Sequence, residues 1–283
     1  MKKNHLLEKT RQLLRPHSET PYLTAQVLLG EVLNKPRSYV LAHPDSQLTW
    51  AQRSQLDTMI EQIKQGTPLP YVIGHWEFYQ LDFSVNPSVL IPRPETELLV
   101  DQALQWFSDH PSRRWAADVG TGSGCIAVSL ADQIRDLQIV ASDLSFPALA
   151  TAAQNARRHG VSGRVHLLQS NLLDPVKTKF DLVISNLPYI PRAKLHQLAV
   201  YQREPTLALD GGEDGVEVIA GLLAAAKHGT SPGALLLLEI DEDTGPRSLA
   251  LGNQHFPEAE IRLKADLTGR DRYLIIQRKG DLR

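Results

Sequence analysis

Trp115-Ala116-Ala117-Asp118-Val119-Gly120-Thr121-Gly122-Ser123-Gly124-Cys125 is the stretch that decides the fold. The five residues ending in Val119 read as a buried strand, the three alternating glycines as a tight turn, and Cys125 to Ala131 as the helix that follows. The glycine spacing is G-x-G-x-G, which differs from the G-x-G-x-x-G of a dinucleotide fold. Taken alone, such a turn is equally a plain strand-to-helix connection. Downstream the alternation continues. Gln138 to Ser142 reads as a strand ending at Asp143, and Phe146 to His159 as a helix with Gly160 at its C′ position. Val165 to Leu168 is a third strand, ending at Asn171, and Phe180 to Ile184 a fourth. Val216 to Lys227 reads as a helix and Ala234 to Glu239 as a fifth strand, with two more at Ile261 to Leu263 and Tyr273 to Gln277. Strands alternating with helices predict an α/β fold with an open parallel sheet.

Upstream, the pattern is helical. Leu6, Leu7, Leu13 and Leu14 fit one apolar stripe, and Ala25, Leu28, Leu29 and Val32 another, starting at Pro21-Tyr22. Ser38 to Ala42 is a short third helix, and Thr49 caps a fourth with Leu56, Met59, Ile60 and Ile63 on its face. Gly66-Thr67-Pro68-Leu69-Pro70 ends this bundle. From Tyr71 to Val85 strand formers dominate and predict a β-hairpin. Pro94 suits the first turn of a helix running to Phe107, with Glu95 and Glu97 at its positive end. Pro92-Arg93-Pro94 also reads as a rigid linker. The expected organisation is a helical bundle over 1–70, a hairpin linker over 71–90 and a catalytic domain over 91–283. The bundle is read as a partner-recognition element, with a lid or stability element as its alternative.

Composition narrows the function. The chain has 283 residues, a length that suits two domains, and a formal net charge of −2. That charge argues against bare nucleic acid as the main partner, because phosphate binding needs a basic face. The single cysteine, Cys125, excludes an internal disulfide and fits a reducing cytoplasm. No apolar run reaches the ~20 residues of a membrane span, and no signal-peptide core follows the charged Met1 to His5. The histidines show no ligand spacing, so no metal is expected.

In an open α/β sheet, ligands bind beyond the carboxyl ends of the strands. Four such ends carry polar residues. Asp118 precedes the glycine loop and is expected to face a cationic or amino-bearing ligand. Asp143 follows the second strand, where an acid can take two ribose hydroxyls. Asn171 follows the third. The fourth strand ends in Ser185-Asn186-Leu187-Pro188-Tyr189-Ile190. Asn and Pro are ordinary turn residues, yet Asn186 Oδ1 and the Leu187 carbonyl can together accept both hydrogens of an NH₂ group. Pro188 stiffens the loop, and the Tyr189 ring can stack on a planar amide or base.

Asn186-Leu187-Pro188-Tyr189 resembles the N-P-P-Y motif of methyltransferases that act on amide or exocyclic amino nitrogens, with Leu187 where the motif usually has Pro. With the Asp118–Gly124 loop and Asp143, the chain resembles class I S-adenosylmethionine-dependent methyltransferases. Pro92-Arg93-Pro94-Glu95-Thr96-Glu97, the glycine loop, the Asn186 tetrad, Glu204-Pro205 and Asp210-Gly211-Gly212-Glu213-Asp214-Gly215 occur in the order of the PrmC/HemK family. The resemblance covers most of the chain. It implies a Rossmann-like, mostly parallel seven-stranded sheet. It implies S-adenosyl-L-methionine held by Asp118, Gly120, Thr121, Gly122, Ser123, Gly124, Asp143, Asn171 and Asn186. It implies that Asn186, Leu187, Pro188 and Tyr189 bind and activate the glutamine of the Gly-Gly-Gln motif in class 1 peptide chain release factors. A cytoplasmic monomer without direct nucleic-acid contact is expected. Glu204 and the Gly211-Gly212 turn are expected to be architecture. One stretch departs from the family: after Glu239 the chain reads Ile240-Asp241-Glu242-Asp243-Thr244, and no role is assigned to it. Two other classes remain weaker: a nucleic-acid amino-methyltransferase, which would flip a base and need a basic cleft, and a nucleotide-binding adaptor, which would need no Asn186 tetrad.

Overall fold

The open sheet expected from the alternation is present in the computed structural model, which describes residues 6–174 and 177–280. The Met1 to His5 stretch lies outside the described residues. The chain divides into two compact units between His75 and Trp76.

The first unit holds α1 (Leu6–Leu14), α2 (Pro21–Leu33), α3 (Arg37–Ala42), α4 (Trp50–Lys64) and α5 (Leu69–Ile73). Its core is Leu7, Leu14, Leu28, Leu29, Leu56 and Ile60, with smaller aliphatics around them. Thr49 caps α4 with a reciprocal pair: Gln52 N donates to Thr49 Oγ1 at 3.2 Å, and Thr49 N donates to Gln52 Oε1 at 3.0 Å. Two expectations change here. Leu13 is 43% exposed, because adjacent helical positions point about 100° apart and Leu14 takes the inward one. Thr10 completes the inner face of α1, its hydroxyl donating to the Leu6 carbonyl. Tyr71 and Val72 belong to α5 rather than to a hairpin. Pro70 lies in the first turn of α5 and suits a helix start there, and Gly74, at φ 81°, ends it.

The hairpin itself is β1 (His75–Phe78) and β2 (Leu81–Ser84), joined by Tyr79 and Gln80 at φ 50° and 61°. Two consecutive left-handed residues make the turn whose twist matches a hairpin. Read from sequence as a linker, the hairpin is packed into the second unit: Phe78 and Phe83 are buried in that unit's core. Asn155 fastens it further, accepting from Ser84 N and donating to Ser84 O.

The second unit continues with α6 (Pro94–Asp109), β3 (Trp115–Val119), α7 (Cys125–Gln133), β4 (Gln138–Asp143), α8 (Phe146–Arg158), β5 (Val165–Gln169), β6 (Phe180–Ser185), α9 (Arg192–Leu195), α10 (Glu217–Gly229), β7 (Thr230–Glu239), α11 (Gly245–His255), β8 (Glu260–Ala265) and β9 (Asp271–Gln277). The sheet order is β5-β4-β3-β6-β7-β9-β8, with the first five strands parallel and β9 antiparallel to both its neighbours. Apolar layers cover both faces, and every residue of β6 is buried, as a central parallel strand requires. From β3 the chain winds outward through β4 to β5, then returns to place β6 on the other side of β3. The strand order therefore reverses between β3 and β6, where a ligand crevice opens in this class of sheet. Helix α11 was not read from the sequence. Its buried face is Gly245, Ser248 and Gly252, so it packs through small residues and shows no large apolar period.

Candidate active site

At the reversal point β3 and β6 run in register, Val119 beside Ser185, and the Ser185 hydroxyl donates to the Val119 carbonyl at 2.6 Å. Gly120 and Asn186 are thus the next residues out from two adjacent strands. A cavity of about 360 Å³ lies there, with Gly120, Gly122, Asp143, Asn171, Asn186 and Pro188 in its wall.

The glycine loop is shaped by backbone needs. Gly120, Gly122 and Gly124 have φ of 72°, 55° and 79°, which side-chain-bearing residues avoid. A Cβ at Gly120 would come within 2.9 Å of Leu187 Cδ2, while one at Gly122 would meet nothing within 4 Å. Gly120 N and Thr121 N both donate to the Ser142 carbonyl at 2.9 Å. Asp143 holds the tip: its Oδ2 accepts from Gly122 N and its Oδ1 from Ser145 N, each at 2.8 Å. A carboxylate oxygen has more than one lone pair, so Asp143 keeps capacity for hydroxyls in the cavity it lines. Ser123 contributes its carbonyl to Asn155 Nδ2 at 2.8 Å, which locks the loop onto α8.

Asp118 is placed differently from the expectation. It is fully buried and does not line the cavity. Its Oδ2 accepts from Thr121 Oγ1 at 2.6 Å and from Ala127 N at 3.1 Å, bracing the loop from beneath. Burial pushes its pKa up to about 7, against those two hydrogen bonds. The physical reason is position: Asp118 is the penultimate residue of β3 and faces α7, not the strand's open end. Cys125 borders the cavity with its thiol pushed up to about 12 by burial, which leaves it a packing residue.

At the other end, Asn186 lines the cavity and its Nδ2 donates to Thr96 Oγ1 at 3.0 Å. Thr96 Oγ1 donates in turn to Glu239 Oε2 at 2.7 Å. Leu187 is buried, its side chain lying over Gly120. Tyr189 departs from the expectation of a stacking ring. It packs against the apolar layer of β6 and β7, and its hydroxyl donates to Glu239 Oε1 at 3.3 Å. Burial raises the Tyr189 pKa. Glu239, the last residue of β7, is 2% exposed, and burial pushes its pKa up to about 7, opposed first by Thr96 and then by Arg272 and Tyr189.

The loop that follows the tetrad is seated on Asp210 to Gly215. Ile190 N donates to the Leu209 carbonyl and Gly211 N to the Ile190 carbonyl. A Cβ at Gly211 would lie 2.8 Å from the Tyr189 backbone, and one at Gly215 would lie 2.5 Å from the Tyr189 carbonyl. Glu204 is likewise architectural: it accepts from Ile91 N at 3.0 Å and from the Arg93 guanidinium, and so clamps the segment leading into α6. The site thus brings together Gly120, Thr121, Gly122, Ser123, Asp143, Asn171, Asn186, Leu187 and Pro188, and sets Asp118, Tyr189 and Gly124, which lies against Ala152 of α8, behind its walls. Thr96 and Glu239 are the residues that sequence reasoning missed. The available signal was an acid ending the apolar strand Ala234 to Glu239, the same position that marked Asp143.

Comparison with known proteins gives the following. Residues 5–74 match the model of the PrmC N-terminal domain, and residues 95–203 that of the methyltransferase small domain. A release factor glutamine methyltransferase of Moorella thermoacetica is 40% identical over 276 residues, 97% of each chain. One of Nitratidesulfovibrio vulgaris is 37% identical over 96% of this chain and 94% of the relative. Among solved structures, a ribosomal protein L11 methylase of Lactobacillus delbrueckii superposes with a TM-score of 0.52 at 21% identity, over 69% of this chain and 84% of the other. At that identity the likeness is one of fold.

Proposed function

The chain belongs to the release factor glutamine methyltransferase family, and from that premise we propose that it methylates the Gly-Gly-Gln glutamine of class 1 peptide chain release factors at the constellation around Asn186. The observation that carries the reading is one cavity shared by Asp143, the glycine loop and Asn186. The residues present fit S-adenosyl-L-methionine. Asp143 offers carboxylate lone pairs to ribose hydroxyls, Gly122 leaves open space where a side chain would intrude, and Asn171 adds a polar wall.

When bound, S-adenosylmethionine supplies a methyl group on a positively charged sulfur, and that sulfur keeps the bonding pair as the methyl leaves. The protein's task is the other partner. An amide nitrogen is a poor nucleophile because its lone pair is delocalised. Asn186 Oδ1 and the Leu187 carbonyl accept the two N–H bonds of the substrate amide, push electron density back to its nitrogen and fix its direction of approach. The nitrogen gains the N–C bond and loses one proton to solvent water. The products are N5-methylglutamine and S-adenosylhomocysteine. Pro188 keeps the two acceptors in a stiff loop.

A single glutamine side chain offers little surface by which to choose one protein, whereas specific interfaces usually bury more than ~1,000 Å². We assign that selection to the first unit, where Leu13, Tyr22, Leu23, Leu41 and Trp50 are exposed. Among the described residues, no helix is long and apolar enough to cross a membrane. The substrate makes the cytoplasm the expected compartment, and a monomer without direct nucleic-acid contact is sufficient for the reaction. The test is incubation with labelled S-adenosylmethionine and full-length release factor, followed by peptide mass mapping. Label on the Gly-Gly-Gln glutamine is the expected result, and label elsewhere or none removes the reading.

A further inference from the structure

We propose that Thr96 and Glu239 are positioning residues, forming a relay that holds the Asn186 carbonyl oxygen toward the substrate and strengthens it as an acceptor. The proposal rests on the methyl-transfer reading and adds to it two groups that never touch the reacting atoms. An Asn side chain has nearly the same shape in its two flipped orientations. Flipped, Asn186 would present NH₂ to a substrate NH₂, two donors face to face.

Thr96 breaks that symmetry. Its hydroxyl carries one hydrogen, committed to Glu239 Oε2 at 2.7 Å. Toward Asn186, 3.0 Å away, Thr96 Oγ1 is therefore an acceptor, and it selects Nδ2. Ionised Glu239 has only lone pairs to offer, and it accepts from Thr96 on one oxygen and from the Tyr189 hydroxyl on the other. Every hydrogen in the chain from Tyr189 to Asn186 is thus oriented by one buried negative charge. A donor feeding into a hydrogen-bond chain that ends on an anion is polarised, which raises electron density on Asn186 Oδ1, the atom that meets the substrate.

The surroundings of Glu239 fix when that charge exists. Arg272 on β9 favours it, as do the Thr96 and Tyr189 hydrogen bonds, whereas Glu95 on α6 opposes it and burial opposes it most. The Tyr273 hydroxyl and the Cys125 thiol also feel the carboxylate, and both are raised by it as well as by burial. The balance pushes the carboxyl pKa up to about 7. Below that pH Glu239 gains a proton of its own, becomes a donor on one oxygen, and releases the direction of the chain.

Three variants test the relay with two readouts. Thr96→Val keeps the shape and removes the hydroxyl, Thr96→Ser restores the hydroxyl, and Glu239→Gln removes the charge. The first readout is the pH titration of the Asn186 side-chain amide resonances in the ligand-free protein, assigned by their loss in Asn186→Ala. They should move with a midpoint near 7 in the wild type and in Thr96→Ser, and stay still in Thr96→Val and Glu239→Gln. The second is steady-state kinetics on full-length release factor. Thr96→Val and Glu239→Gln should lower kcat about 10–100-fold, the range of one charge-assisted hydrogen bond, with calorimetric affinity for S-adenosylmethionine kept within about threefold. Thr96→Ser should stay near wild type, and Glu239→Gln should lose the rise of kcat through neutral pH. Resonances that ignore pH in the wild type, or a kcat within twofold in Glu239→Gln, overturn the relay. If Thr96→Val does not fold, Glu239→Gln and the wild-type titration decide. Wild-type protein that leaves release factor unmethylated sinks the activity reading instead, while the resonances still judge the relay.

Discussion

The glycine loop after β3 and the Asn186 loop after β6 lie side by side and are built by opposite means. The first is made of backbone: three left-handed glycines, amides tied to the Ser142 carbonyl, and one carboxylate, Asp143, holding the tip. All its parts come from within about one strand–helix–strand unit. The second is made of side chains drawn from distant sequence: Asn186 leans on Thr96, 90 positions away, and Thr96 on Glu239, 143 positions away. A backbone-built site tolerates side-chain variation around it but no change of conformation. A side-chain-built site fails when one link is cut, even if the chain's path is unchanged.

Cutting the relay at its end gives the largest expected effect. Asn186→Ala should lower kcat by roughly 10²–10³, the value of one preorganised acceptor in a transition state, while S-adenosylmethionine affinity stays nearly intact. Single-turnover rates and calorimetry check this, and a collapse of cofactor affinity alone would move Asn186 to the glycine side of the comparison. Next comes the other loop. Asp143→Ala should weaken S-adenosylmethionine and S-adenosylhomocysteine alike by about 10–100-fold, since a charged hydrogen bond contributes about 1.5–3 kcal/mol. It also frees Gly122 N, so a loss confined to one ligand would mean that Asp143 shapes the loop without touching the ribose.

Removing residues 1–74 leaves both loops untouched and should raise KM for release factor about tenfold or more with kcat changed less, because remote binding energy is lost. Circular dichroism must first show the remaining domain folded. Equal kcat/KM would reduce the first unit to a stability element. The smallest effect concerns stability. Glu239 is raised from 4.5 to about 7, so between those values the folded chain keeps a proton that the unfolded chain has released. Its contribution therefore weakens as pH rises through that window. Glu239→Gln does not titrate, so its Tm relative to wild type should be higher at pH 8 than at pH 5, by roughly 5–10 °C. Parallel melting curves would contradict the burial of that charge.

The same contrast explains what could be read in advance. The glycine loop, β3, β4 and the Asp143 position are written within thirty or so consecutive residues, and local spacing carries them. The Thr49 cap and the Pro94 helix start are legible for the same reason: each is decided within one turn of helix. Direction is harder. Asp118 reads as the strand residue that faces a ligand from beneath the loop, but its carboxylate turns inward to Thr121 and Ala127, and alternation along a strand does not say which face a terminal residue serves. Tyr189 was marked for stacking, yet Gly211 and Gly215 admit its backbone so closely that the ring is carried toward Glu239. That partnership is between segments 50 residues apart. Helix α11 hid because small residues, Gly245, Ser248 and Gly252, make its buried face.

The register of Val119 with Ser185 has a consequence for ligand design. Adjacent strands lie about 4.8 Å apart, so the exits to Gly120 and Asn186 are separated by roughly the width of one peptide group. An inhibitor with an adenosyl head and a primary carboxamide, joined by a bridge of two or three atoms, would span both subsites as a single molecule. The second end would then bind at the millimolar effective concentration that a short tether supplies. Such a compound would owe the fit of its bridge to the distance between two strands, a dimension fixed by backbone hydrogen bonding and therefore hard for a resistant variant to alter.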